Sequence, residues 1–171
     1  NAAASVTNTA TVSGGGETNA ANDTANDATT INAGPPNVGL VKSVSPTGSQ
    51  IPGTDLAYTV VYTNTGGQPA RNFVMIDPNP QNIDPLERIF HNLDFKVGSI
   101  TSSPGTTGLT ATFEYSNDGG TTWTYTPVSG GGGAPAGYDR SVTNIRWTFT
   151  GNLSQTSPNN TGSVSFTSRI R

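Results

Sequence analysis

At 171 residues and a net charge of −3, the chain is long enough for one domain with a sizeable core plus an arm. Only 11% of its residues are charged, against roughly 25% in ordinary soluble domains, and its eight Lys and Arg are scattered, so electrostatic binding of nucleic acid has nothing to stand on. The absence of cysteine excludes disulfides and thiolate metal sites, and no apolar run approaches the roughly 20 residues of a membrane-spanning helix.

The chain opens on Val6-Thr7-Asn8-Thr9-Ala10-Thr11-Val12, which alternates as a strand does. Ala4, Val6, Asn8, Ala10 and Val12 share one face, while Thr7, Thr9 and Thr11 take the other. Gly14-Gly15-Gly16 ends this strand, and residues 17–33 read as a polar linker holding at most a short strand at Ala28-Thr29-Thr30-Ile31. Gly34-Pro35-Pro36 makes a stiff joint, because proline locks φ and holds the residue before it extended. The expected division is an arm and linker over residues 1–37 and a β-sandwich domain over 38–171.

Within the body, strands are expected near 38–45, 55–65, 71–77, 93–101, 109–116, 121–126, 142–150 and 162–170, the spacing of a sandwich. Leu56, Tyr58, Val60 and Tyr62 alternate with Ala57, Thr59, Val61 and Thr63. The single helix candidate is Asp84-Pro85-Leu86-Glu87, where Asp at the N-cap, Pro at the first position and Glu at the third form a capping box. Leu86, Ile89, Phe90 and Leu93 would dock it, leaving His91 at its end as a solvated surface residue. Phe113, Tyr115, Trp123, Trp147, Phe149 and Phe166 are the expected bulk of the core. Gly130-Gly131-Gly132-Gly133-Ala134-Pro135 reads as a flexible loop tip, since it lacks the Gly-Lys-Ser/Thr ending of a phosphate loop. The last strand, Ser163 to Ile170, is expected to leave one edge uncovered.

Little here points to catalysis. One histidine without a partner motif, and no Ser or Cys in a nucleophile-elbow context, argue that the protein is not an enzyme. Ser116-Asn117-Asp118-Gly119-Gly120-Thr121-Thr122-Trp123 matches an Asp-box, a turn in which the Asp caps backbone amides and the Trp packs beneath the hairpin. Asp77-Pro78-Asn79 and Asn117-Asp118 offer hard oxygens for calcium, yet neither matches an EF-hand loop, and no metal or cofactor is expected. Asn22, Asn152 and Asn159 stand in Asn-x-Ser/Thr triplets and are candidate glycosylation sites on an extracellular surface, a setting that the Thr/Asn richness and scarce Lys also fit.

Leu40-Val41-Lys42-Ser43-Val44-Ser45-Pro46, then Tyr58-Thr59-Val60-Val61-Tyr62-Thr63-Asn64-Thr65-Gly66 and Ile76-Asp77-Pro78, resemble the opening of the repeat family called domain of unknown function eleven, an Ig-like module of bacterial and archaeal surface proteins. Trp147 through Ile170 resembles its penultimate part, while residues 78–92 look like an insertion. The family's closing strand, of the form T-N-T-A-T-V, stands instead at Thr7 to Val12, followed by an inter-domain-like tail at Glu17 to Thr24. In tandem proteins of this kind the closing strand belongs to the preceding domain. The resemblance therefore implies an all-β, Ig-like sandwich with an N-terminal extended donor-strand arm. The subunit would polymerise head-to-tail with identical copies by donor-strand complementation, forming a pilus-like extracellular filament for adhesion or cell–cell connection.

In that reading Ala4, Val6, Asn8, Ala10 and Val12 are donated, and Val164, Phe166, Ile170, Leu40 and Val44 form the acceptor edge. Lys42 alternates with Leu40 and Val44 and so faces the apolar side; beside Asn8 of a donated strand, with Glu114 or Asp94 nearby, it has the makings of an isopeptide bond between subunits. Three other arrangements remain open. A linker of about 25 residues spans roughly 80 Å extended, enough for the arm to fold back on its own domain. The chain also reads as one period of a longer polyprotein. The alternative function is a carbohydrate-binding or adhesin module of a tandem-repeat surface protein, with surface glycans as partners and Tyr125 and Tyr138 as contacts.

Overall fold

The computed structural model describes residues 4–78 and 92–171, so the helix expected at Asp84 and the lone His91 lie outside the described residues. Two compact units emerge, residues 1–35 and 36–171, with the division at the Pro35-Pro36 joint.

The first unit is a hairpin rather than a single extended strand. β1 (Ser5–Thr11) pairs antiparallel with β2 (Thr24–Thr30), in a register running from Ser5 opposite Thr30 to Thr11 opposite Thr24. The ladder continues past both ends, with the Val12 amide donating to the Asp23 carbonyl and the Ile31 amide to the Ala4 carbonyl, each at 2.9 Å. The stretch expected as linker thus carries a full strand. Its composition hides it: β2 reads TANDATT, with no large apolar side chain to mark a buried face. The turn between the strands uses Gly14, Gly15 and Gly16, all at positive φ.

The second unit is the all-β sandwich. Its first sheet takes the order β10 (Tyr138–Asp139), β7 (Leu93–Lys96), β13 (Thr161–Ile170), β4 (Asp55–Asn64), β3 (Val38–Ser45), with β8 (Thr101–Ser103) also on β13. The second sheet is β6 (Val74–Asp77), β11 (Asn144–Thr150), β9 (Thr110–Ser116), and a small ribbon joins β5 (Ala70–Arg71) to β12 (Asn152–Leu153). Every pairing between strands is antiparallel. Two expected strands are split. Asn72 at φ 48° breaks 71–77, a left-handed conformation that Asn tolerates. Gly98 at φ 76° turns the chain between β7 and β8, and the Ser99 amide returns to the Lys96 carbonyl at 3.2 Å.

The core lies between the sheets. Val60 and Tyr62 of β4 and Val164 and Phe166 of β13 face Ile145, Trp147 and Phe149 of β11. Tyr62 meets Phe149 edge-on at 4.9 Å, and Phe73 stacks on Phe149 at 4.4 Å. Two expected core rings sit elsewhere. Trp123 lies against the Arg146 guanidinium, 4.5 Å from ring centroid to the cation, on the outer face of β11. Phe113 points inward from β9 but stays 46% exposed, because that margin of the second sheet is thinly covered.

The last strand is also placed differently from expectation. β13 is interior, not an edge. It pairs with β4 from Thr161 to Arg169 on one side and with β7 and β8 on the other. Between β7 and β8 the Ser99 hydroxyl bridges the gap, accepting from the Thr167 amide at 3.0 Å and donating to the Lys96 carbonyl at 2.7 Å.

Gly162 stands directly opposite Tyr62 on β13, and a Cβ there would collide with the Tyr62 ring and hydroxyl. Since Tyr62 is fully buried and has nowhere to move, Gly162→Ala is expected to cost about 1–3 kcal/mol. Urea denaturation followed by tryptophan fluorescence should show a lower midpoint at unchanged slope.

Candidate functional site

With β13 interior, the terminal strands are β10 and β3 in the first sheet and β6 and β9 in the second. β3 is the longest, at eight residues, and it pairs only with β4. Leu40 on its core-facing side is 55% exposed and Val41 on its outer side 68%. The expected acceptor edge therefore divides. Leu40 and Val44 do lie on an edge strand, but Val164 and Phe166 are buried on a strand closed on both sides, and half-buried Ile170 pairs with Leu93. The reason is the return of residues 93–103, two short strands that cover the flank of β13 that the sequence leaves open.

On the donor side, Ala4, Val6, Asn8, Ala10 and Val12 share one face of the hairpin, joined by Ala25 and Ile31 of the partner strand. Val6 is 53% and Val12 59% exposed, and none of residues 4–35 is buried.

Lys42 faces inward from β3, as its alternation requires, and meets a partner that the sequence reading missed. Its Nζ lies 2.7 and 2.6 Å from Asp77 Oδ1 and Oδ2, across the sandwich on β6. Asp77 is buried at 8% exposure, and the ammonium lies 5.0 Å from the Tyr58 ring centroid and 5.6 Å from that of Phe166. Glu114 is excluded from this group: it sits on the outer face of β9 and pairs with Arg146 of β11 at 2.7 Å. Asp94 is also occupied elsewhere, by Arg140 Nε and Arg171 Nε at 2.9 Å each. Asn8 stands opposite Asp27 within the hairpin. The expected trio of Lys42, Asn8 and Glu114 thus loses its carboxylate, and Asp77 takes that place.

The Asp-box forms as the pattern demands. Asp118 accepts from the Thr121 and Thr122 amides, the Thr122 hydroxyl and Ser116 Oγ. Hydrogen bonds from Ser116 first and then from Thr122 lower its carboxyl to about 2. Of the two calcium candidates, the Asp118 carboxylate is thus held by N–H and O–H donors and Asp77 by an ammonium, while Asn79 lies outside the described residues. Tyr138 is buried with its hydroxyl donating to Asp55 at 2.7 Å, and half-buried Tyr125 donates its hydroxyl to Asp139 at 2.8 Å. Asn22, Asn152 and Asn159 are all exposed.

Asp139 is a further carboxylate that no sequence pattern flagged. Fully buried, it accepts from the Val128 and Ser141 amides at 2.7 and 2.8 Å as well as from Tyr125. The glycine run is built around it and is not a free tip. Gly131 approaches so closely that a Cβ would fall inside the carboxylate, and backbone hydrogen bonds tie Gly130 and Gly131 to Tyr138 and Arg140.

No family model, no curated protein and no solved structure matches the chain.

For Asp94, burial pushes the carboxyl up, but hydrogen bonds and charge from Arg140 and Arg171 outweigh it and hold the group below 3.8. A depressed carboxyl stabilises the fold fully above its unfolded value and ceases to as pH falls through the folded one. Thermal midpoints are therefore expected to drop below about pH 4. Asp94→Asn should lower the neutral-pH midpoint and flatten that acid-side fall, as differential scanning fluorimetry across a pH series would show.

Proposed function

We propose that this chain is a structural subunit of an extracellular filament that assembles head-to-tail, the β1–β2 hairpin of one copy adding to the open edge of β3 in the next. The observation that carries this reading is the hairpin itself, which folds with no buried residue of its own. A lone two-stranded hairpin is marginal in water, and a third strand or a packed face is what makes such a unit stable. An exposed, eight-residue apolar edge is the complementary liability, open to pairing with another chain. Joining the two removes both.

The magnitudes are adequate for a stable junction. Backbone hydrogen bonds contribute roughly 0.5–1.5 kcal/mol net each. Burial of Val6 and Val12 adds about 1.5–3 kcal/mol apiece. A contact between unlike surfaces that does not close into a ring propagates as a fibre. The motif resemblance at Leu40–Pro46, Tyr58–Gly66 and Thr7–Val12 supports a place on the cell surface, with adhesion or cell–cell connection as the use.

Negative-stain microscopy of the purified chain should show fibres. Val6→Lys with Val12→Lys, and separately Leu40→Lys, should abolish them while leaving the thermal midpoint of the body within a few degrees of the parent. Discrete particles from the unaltered chain would reject the reading, as would fibres that persist in both variants.

A further inference from the structure

We infer that Lys42 and Asp77 become joined by an intramolecular amide bond that locks β3 of the first sheet to β6 of the second. The two side chains project inward from opposite sheets and meet with both carboxylate oxygens in contact with one nitrogen, at 2.7 and 2.6 Å. Lys42 leaves β3 between Leu40 and Val44, and Asp77 leaves β6 opposite Ile145, so both are anchored on laddered backbone rather than on loops. The rings of Tyr58 and Phe166, stacked at 5.1 Å, wall the nitrogen on one side. Nothing in the pair needs to move far for Nζ to reach Cγ, which is the condition for a large effective concentration.

The chemistry balances without any co-reactant. One proton passes from the Lys42 ammonium to the Asp77 carboxylate, giving a neutral amine and a neutral acid. The amine lone pair attacks Cγ to form a tetrahedral centre. A second nitrogen proton then goes to the departing hydroxyl, the C–O bond breaks, and one water leaves. The product is a secondary amide, with three nitrogen-borne hydrogens distributed as one N–H and two in the water.

The consequence is mechanical. β3 is an edge strand held to the body by a single ladder, and the strand that polymer contacts would load. A covalent tie from its middle to the opposite sheet makes the two sheets inseparable at that edge, independently of whether copies assemble.

Intact mass of the purified full chain under denaturing conditions is the test, since it reads each chain singly and is indifferent to polymerisation. A mass one water below that of the sequence is expected, with a peptide map yielding a branched species joining the segments that contain Lys42 and Asp77. Lys42→Arg, which keeps the cation, should restore the full mass and lower the thermal midpoint. A wild-type chain at full mass overturns the proposal. So does a water loss that maps to a linear succinimide at Asp118-Gly119, or one that persists in Lys42→Arg.

Discussion

The ladder between β4 and β13 is the constraint on which the sandwich depends. Nine consecutive residue pairs, from Thr161 opposite Thr63 to Arg169 opposite Asp55, set which side chains face the second sheet. A slip of one residue would turn Val164 and Phe166 outward and put Ser163 and Ser165 in the core. The same register places Gly162 beneath Tyr62 and so lets the tyrosine ring lie flat against the strand. β7 and β8 cover the far side of β13, while β3, paired only with β4, stands at the opposite margin of the same sheet. How the last strand is covered thus decides which strands are left at the margins of the sheet.

A chain with so few charges uses them as internal fastenings. Lys42, Lys96, Arg140, Arg146, Arg169 and Arg171 all pair with carboxylates of the same chain. Asp55 gathers Lys96, Arg169 and the Tyr138 hydroxyl, while Arg169 also lies 4.1 Å from the Tyr138 ring centroid. Asp94 takes Arg140 and Arg171 together. These groups bind β4, β7, β10 and the end of β13 at one margin of the sandwich, and Lys42–Asp77 binds β3 to β6 at another. Most of these pairs are part-exposed and add little net stability, but removing a cation from the buried Asp94 or Asp77 would leave a buried carboxylate unpaired. They also leave the surface with few free cations, which is the structural counterpart of the scattered basic residues.

Strands with strong alternation were legible from sequence to within a residue or two: β3, β4, β9 and β13 fall where Val, Tyr and Phe alternate with Thr and Ser. The inward direction of Lys42 followed from the same period. What could not be read was pairing. Nothing in Ser163 to Ile170 distinguishes an edge from a centre, because the second flank is covered by residues 93–103, distant in sequence. Asp77 as the partner of Lys42 was hidden for the same reason, 35 residues away on another sheet. β2 was missed because its side chains are small and polar, and Trp123 was misassigned because an indole can cover an arginine as well as fill a core. The glycine run looked loose because sequence shows the missing side chains and not the buried Asp139 that requires their absence.

The hairpin alters how assembly by strand donation would work. A single extended arm must be ordered at about 1–2 kcal/mol per residue on docking, and it can enter a groove between two strands. In β1 one edge is already satisfied by β2 across seven residue pairs, and half of the ordering has already been met within the chain. Insertion into a groove would require breaking that ladder, because a strand in a groove needs both edges free. Addition to an edge does not, since β1 has one edge to offer and β3 has one to receive. Under the proposed assembly, a hairpin donor and an edge acceptor would join by sheet extension, with β1 beside β3 and β2 left as the new outer strand. β2 carries Asn26 and Asp27 at its centre and no large apolar side chain, which is how an edge is kept from recruiting further chains.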